Sequence, residues 1–247
     1  MLLPPAERTR LILAASDAYG PDLLVTAGYA VHNRKQLHRL AGEIADDERD
    51  GLIITEVHWD GRTQRRSGRS HAMWAISGRG DLHRFGRQAF STMEEATAAD
   101  GKARARFRRH LPNRNIAVGP YSAFALVCGE LNLVRGRDTL SFVDDEAGAA
   151  LMAADIIVNP THDRMSNAGT LAAKRRFLSQ PHANGRSRAY VSCSNWEACG
   201  LNGRVQHPSP TLHAVYVDGE PLAYEELADG AFGFVYRRWW LDLAGSG

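Results

Sequence analysis

The stretch "FALVCGELN" (residues 124–132) decides how the rest of the chain is read. An apolar run, Phe124 to Val127, ends in a cysteine, a glycine and a carboxylate. A short apolar run closed by glycine describes a buried strand that stops at a turn. Two readings of Cys128 follow. It is either a small core residue beside that turn, since buried cysteine packs like a small hydrophobe, or a nucleophile held at the mouth of a sheet. A thiol attacks only as thiolate, so the second reading needs a base or positive charge nearby. Gly129 permits close backbone approach, amides at the turn can donate to an oxyanion, and Glu130 can move protons or orient a substrate.

Outward from this stretch, apolar runs and helical patterns alternate. Residues 6–18 ("AERTRLILAASDA") predict a helix stopped by Gly20-Pro21. "DLLVTAGYAV" (22–31) predicts one strand feeding a loop, and 33–50 place Leu37, Leu40 and Ile44 at helical spacing. "GLIITEVHW" (51–59) and "HAMWAIS" (71–77), joined by a polar Gly- and Arg-rich turn, predict a hairpin. Over 91–99, Ser91 and Glu94 stand in capping-box register. "NIAVGPYSAFALVC" predicts two short strands around Gly119-Pro120, and 145–154 a helix. "DIIVNP" (155–160) predicts a buried strand cut off by Pro160. Then come a helix over 169–185 lasting until Pro181, a strand over 188–196, and a hairpin turning at Asp218-Gly219. The last strand falls in "GAFGFVYRRWW". With no repeat, low-complexity tract or linker, the pattern predicts one α/β domain over 1–247, with a mixed sheet or two packed sheets.

The totals bound the function without naming it. A chain of 247 residues, 44% hydrophobic and 23% charged, has an ordinary globular composition. Its 30 basic and 28 acidic residues call for no nucleic-acid or membrane partner. No apolar run reaches the roughly 18 residues of a membrane-spanning helix, and "MLLPPAERTR" lacks the apolar segment and cleavage site of a secretory signal. Three cysteines, Cys128, Cys193 and Cys199, argue against a disulfide framework and for a reducing compartment, so a cytoplasmic location is expected. The spacing from Cys193 to Cys199 fits no common zinc signature, and no metal or cofactor is expected.

The order of segments carries more than any one of them. "NIAVGPYSAFALVCGE", a helix, "AADIIVNPTHDR", a helix, "HANGRSRAYVSCSNWE" and "LHAVYVDGEPLAYEEL" follow one another. That series resembles the nitrilase (carbon–nitrogen hydrolase) superfamily, with its strand ending in Cys-x-Asp/Glu, its "AD-hydrophobic-P" strand, its "ENG-x-YVV-x-x-N" strand and its D-x-G hairpin. Cys128, Glu130, Pro160, Asn184-Gly185 and Asn195 fall in the matching places. Earlier, "DLLVTAGYAV" is similar to the family strand ending "PEYA", and "HAMWAISGRGDLHRFGRQAF" to its hairpin ending "YRKVHL". The resemblance spans roughly residues 10–240.

It implies an αββα sandwich of two mixed sheets flanked by helices, commonly paired into dimers. It also implies a Glu, Lys and Cys triad: cysteine attacks a nitrile or amide carbon, glutamate handles protons, and lysine supports the tetrahedral intermediate. Carried over one position at a time, only the cysteine survives, as Cys128. The glutamate falls on Gly28 and the lysine on Arg87, and the family's first strand has no counterpart before the 6–18 helix. Glycine accepts no proton, and arginine keeps its charge on a larger fork than an ammonium group. Losing a general base typically costs on the order of 10²- to 10⁴-fold in rate. Three groups can stand in: His162 with Asp163 just past "IIVNP", Glu56 at the end of its strand, and Glu130 itself. Each also has a structural reading: a cap on the next turn, a solvated strand residue, and a holder of backbone amides. Asn195 and Trp196 near a strand end are expected to help line the pocket, with Glu56 and Asp163, while Cys193 is expected in the core.

The expected function is therefore a carbon–nitrogen hydrolase acting on a small amide, nitrile or carbamoyl compound, with Arg87 on the oxyanion and Glu130 or His162 on protons. The alternative is a relative that keeps the sandwich for binding or assembly. A further alternative uses "KARARFRR": Lys102, Arg104, Arg106 and Arg108 at period two would form one basic face of a strand, with Arg109, His110 and Arg114 adding to it. Such a patch suits an anionic partner or nucleic acid, although basic runs are ordinarily solvated edges.

Overall fold

A computed structural model describes residues 3–47, 49–60, 71–161, 168–195, 198–199, 205–206, 213–228 and 235–243. In chain order its elements are α1 (Pro5–Tyr19), β1 (Leu23–Val25), β2 (Val31–Asn33), α2 (Arg34–Asp46), β3 (Leu52–Trp59), β4 (Ala72–Ser77) and β5 (Leu82–Gly86). Next come α3 (Met93–Thr97), α4 (Lys102–His110), β6 (Asn115–Val118) and β7 (Tyr121–Ala125). A 3-10 helix (Cys128–Leu133), β8 (Val134–Arg135), β9 (Ser141–Phe142), α5 (Asp145–Met152), β10 (Ile156–Thr161) and α6 (Ala168–Leu178) follow. The chain continues through β11 (Ala189–Ser194), β12 (Ala198–Cys199), β13 (Val205–Gln206), β14 (Ala214–Val217), β15 (Glu220–Pro221), β16 (Glu225–Ala228) and β17 (Tyr236–Arg238).

Two mixed sheets organise these elements. In the first, β1 and β2 both run parallel to β3, and β4 and β5 follow antiparallel. The second has the order β15-β14-β11-β10-β7-β6, with β7, β10 and β11 parallel. Successive side chains on a strand point to opposite faces, and that alternation separates three cores. Leu52 and Ile54 of β3 and Met73 and Ala75 of β4 pack against Ala123, Ala125, Val127, Ile156 and Val158 of the second sheet. Their neighbours Ile53, Val57, Trp74 and Ile76 turn outward to Leu37, Leu40 and Ile44 of α2 and Ile12 of α1. Phe124, Ile157 and Tyr190 turn outward to the other helical layer, onto Phe107, Leu151, Leu171 and Leu178. The layers therefore run helix, sheet, sheet, helix, the αββα sandwich that the resemblance implied. Among the described residues, no helix is long and apolar enough to cross a membrane.

Several boundaries differ from expectation for identifiable reasons. The strand expected in 22–31 ends at Val25 and feeds the expected loop, with Tyr29 at φ 60°, but the chain then rejoins the sheet at Val31 as a second strand. The cap expected at Ser91 lies one residue later: Thr92 Oγ1 accepts from the Glu95 amide, and Glu95 reaches back to the Ser91 amide at 2.6 Å. The basic run is helix α4, not a strand, since Lys, Ala and Arg are strong helix formers. Its arginines are engaged locally, Arg104 on the Ala96 carbonyl, Arg106 on the Ala89 carbonyl and Arg108 on Asp144. Helix α6 stops at Leu178, before Pro181.

Pro160 lies inside β10 rather than ending it. The Val158 carbonyl accepts from Leu126 on the β7 side. Pro160, two residues on, presents its nitrogen to that same side. There β7 has already ended at Ala125, so no ladder bond is lost. The expected hairpin turn holds, with Asp218 and Gly219 both at positive φ.

Ile54 is fully buried between the two sheets. Substituting it with alanine is expected to destabilise the fold by about 2–5 kcal/mol, read as a lowered urea midpoint with an unchanged slope.

Candidate active site

The turn that carries Cys128 is fixed from every side. Cys128 itself has φ 35°, a left-handed conformation that costs a non-glycine residue about 1–3 kcal/mol and persists only where surroundings impose it. Glu130 supplies much of that constraint. One carboxylate oxygen accepts from the Val127 amide at 2.8 Å. The other accepts from the Ala89 amide at 2.7 Å and from Arg114 at 2.8 Å. Both partners of this ion pair are fully buried. Burial pushes the Glu130 carboxyl up, while Arg114 and the two amides pull it back. Arg114 also donates to the Arg87 and Ala125 carbonyls, so the 87–89 segment, the start of β6 and the cysteine turn form one unit.

Other groups close the remaining sides. Asn159 donates to the Leu126 carbonyl at 3.0 Å and the Cys128 carbonyl at 3.3 Å, and Tyr190 holds Asn159 through its hydroxyl. Gly129 is required by space. A Cβ there would stand 2.5 Å from the Ser91 carbonyl oxygen and 2.7 Å from Gln88 Nε2. Lys174 Nζ reaches the Leu131 carbonyl and Asn132 Oδ1, and Asn132 donates to the Ser91 carbonyl.

The sequence candidates distribute as follows. Glu130 shares the turn with Cys128, and its position fits the holder of backbone amides. Arg87 joins the turn through its backbone; its half-exposed guanidinium lies 3.8 Å from Asp60. Asp60 also accepts from Arg84 and the Trp74 indole. Glu56 is not a solvated strand residue: it is 2% exposed, and alternation along β3 aims it between the sheets with Leu52 and Ile54. Asn195 directly follows β11, while His162, Asp163 and Trp196 lie outside the described residues. Cys193 faces the same interior from β11, as its alternation with Ala189 requires. Burial, with the Glu56 charge added, pushes its thiol far up, which marks it as inert. Cys128, by contrast, is only partly buried.

Two residues escaped the sequence reading. His71 is buried and sets its Nε2 3.5 Å from Glu56 and 3.1 Å from Gln88 Oε1. Gln88 Nε2 donates to the Phe90 carbonyl at 2.9 Å, which turns Oε1 toward the imidazole and places the proton on His71 Nε2. The available signal was the parity His71, Met73, Ala75, which puts the histidine on the inward face. Asn159 was legible as a polar residue inside an apolar strand.

No family model matches the chain, and no curated protein matches it. Solved structures do. An amidase of the nitrilase superfamily from Nesterenkonia AN1 superposes with a TM-score of 0.58 at 14% identity, over 90% of this chain and 80% of that one. A variant of the Nesterenkonia sp. AN1 amidase, carrying the acetamide moiety of fluoroacetamide on its active-site cysteine, gives 0.53 at 15% identity, over 89% and 80%. A CN-hydrolase superfamily protein of Xanthomonas campestris with an arsenic adduct in its active site gives 0.51 at 12% identity, over 95% and 82%. The chain thus has the fold of nitrilase-superfamily amidases.

Two expectations test the turn. Glu130→Ala leaves Arg114 buried without its carboxylate and is expected to cost about 3–5 kcal/mol in denaturant titration. Burial brings the Lys174 ammonium down to about 8. Between about pH 8 and the ordinary lysine value the unfolded chain therefore holds a proton that the folded chain lacks, so stability rises with pH across that window. Wild type is expected to gain stability there relative to Lys174→Met, measured as urea midpoints at both ends.

Proposed function

We propose that this chain hydrolyses a carbon–nitrogen bond in a small amide, nitrile or carbamoyl compound through a thioester or thioimidate on Cys128. The observation that carries the reading is the setting of Cys128: a left-handed residue just past β7, only partly buried, in a turn clamped by Glu130, Asn159 and Gly129. Strain of this kind is held where a side chain must be presented in one direction. The fold supports the reading, because a structure of the same architecture carries a covalent adduct on its active-site cysteine. In this reading Glu130 keeps the turn in place, turn amides receive the oxyanion in place of Arg87, whose guanidinium is turned to Asp60, and the substrate enters between the sheets.

Gly28, which brings no carboxylate to the position of the family glutamate, favours a second reading in which the sandwich binds such compounds without cleaving them. Fluoroacetamide labelling read by peptide mass mapping, together with ammonia release from formamide, acetamide, propionamide and butyramide, separates the two. A hydrolase labels at Cys128 and releases ammonia, and Cys128→Ala abolishes both. A folded wild-type chain that neither labels nor turns over rejects the hydrolase reading.

A further inference from the structure

Position 28 offers no proton acceptor, yet a carboxylate from another strand reaches that loop. Glu56 Oε2 accepts the amide of Tyr29, the residue after Gly28, at 3.2 Å. Its other oxygen faces His71 Nε2 at 3.5 Å, and the same nitrogen lies 3.1 Å from Gln88 Oε1. The far end of Gln88 packs on Gly129, next to the thiol-bearing residue, so closely that a methyl group there would meet its Nε2 at 2.7 Å. An unbroken series of contacts therefore runs from the Gly28 loop, through a buried carboxylate and an imidazole, to the cysteine turn. The ring of Tyr29 covers this series, 5.4 Å from the His71 ring.

We propose that Glu56, delivered by β3, performs the acid–base work that Gly28 cannot, and that His71 and Gln88 are positioning residues that aim it. The proposal rests on Cys128 being the nucleophile. As Sγ bonds to the amide carbon, the thiol proton passes to Glu56 and the carbonyl pair moves onto oxygen. The C=O bond then re-forms, the C–N bond breaks, and the nitrogen leaves as ammonia with the proton from Glu56. Water adds to the thioester, giving its proton to Glu56. The C–S bond breaks, and that proton returns to sulfur.

Among the described residues, the groups facing His71 include Glu56 and His58 of β3, Tyr29 of the preceding loop and Gln88. Removing His71 should therefore change the pH dependence of turnover, not substrate binding alone. The experiment compares ammonia release from the four amides above for wild type, Glu56→Gln, Glu56→Asp, His71→Gln and Cys128→Ala, with folding checked by circular dichroism. Glu56→Gln is expected to lower kcat by about 100-fold or more at similar KM, while fluoroacetamide still labels Cys128. Glu56→Asp is expected to recover part of the loss, and His71→Gln to shift the acidic limb of the kcat profile. If Cys128→Ala is inactive but folded Glu56→Gln turns over within about threefold of wild type, the Glu56 assignment fails and the cysteine mechanism stands. A wild-type chain that labels at Cys128 without turnover rejects the assignment as well. Turnover surviving Cys128→Ala rejects the cysteine mechanism itself.

Discussion

The pairing of Glu130 with Arg114 inside the protein is the constraint from which the rest of the site follows. Two opposite charges lie wholly out of water, and neither can be left there alone. Glu130 sits in the turn after β7, and Arg114 just before β6. The remaining bonds of the pair end on Val127, Ala89, Arg87 and Ala125. The desolvated pair therefore joins the edge of one sheet to the strand end of the other. A carboxylate two residues past the cysteine thus has a mechanical meaning here: it keeps the backbone of Cys128 in a conformation that the residue would otherwise leave.

Cys128 and Cys193 show how placement on one scaffold separates reactivity from packing. Cys193 lies in mid-strand on the inward face of β11, buried, with a carboxylate across the gap that further disfavours a second negative charge. Cys128 stands where the strand has ended, among amides and carbonyls rather than hydrocarbon alone. The same sandwich makes one thiol a core residue and leaves the other only partly buried.

Much of the fold was legible because its strands obey period two and its helices period 3.6. The runs around Ile54, Val158 and Tyr190 were read as strands from composition alone, and their order carried the architecture. What failed was local. The 102–110 run has charges at every second position, a pattern that a strand and a helix both accommodate, and helix propensity together with packing of Phe107 decided it. In the 22–31 stretch Gly28 announced the loop after the strand, but nothing in the pattern announced that the chain would rejoin the same sheet at Val31. At the site, Cys128 and Glu130 were visible as neighbours in sequence. The Glu56–His71–Gln88 series joins β3, the residue that leads into β4 and the loop after β5, and no spacing along the chain encodes that meeting. Only the parity of His71 with its apolar neighbours hinted at its direction.

Pro160 has a consequence for the architecture around the sulfur. Among the described residues, no strand pairs with the flank of β10 beyond the end of β7 at Ala125, and at residue 160 that flank has no hydrogen to offer one. A chain segment trying to zip onto that flank would find the ladder interrupted at its first rung. That strand flank beside the cysteine is thus kept from being extended by the covalent makeup of the backbone, independent of any side chain near it.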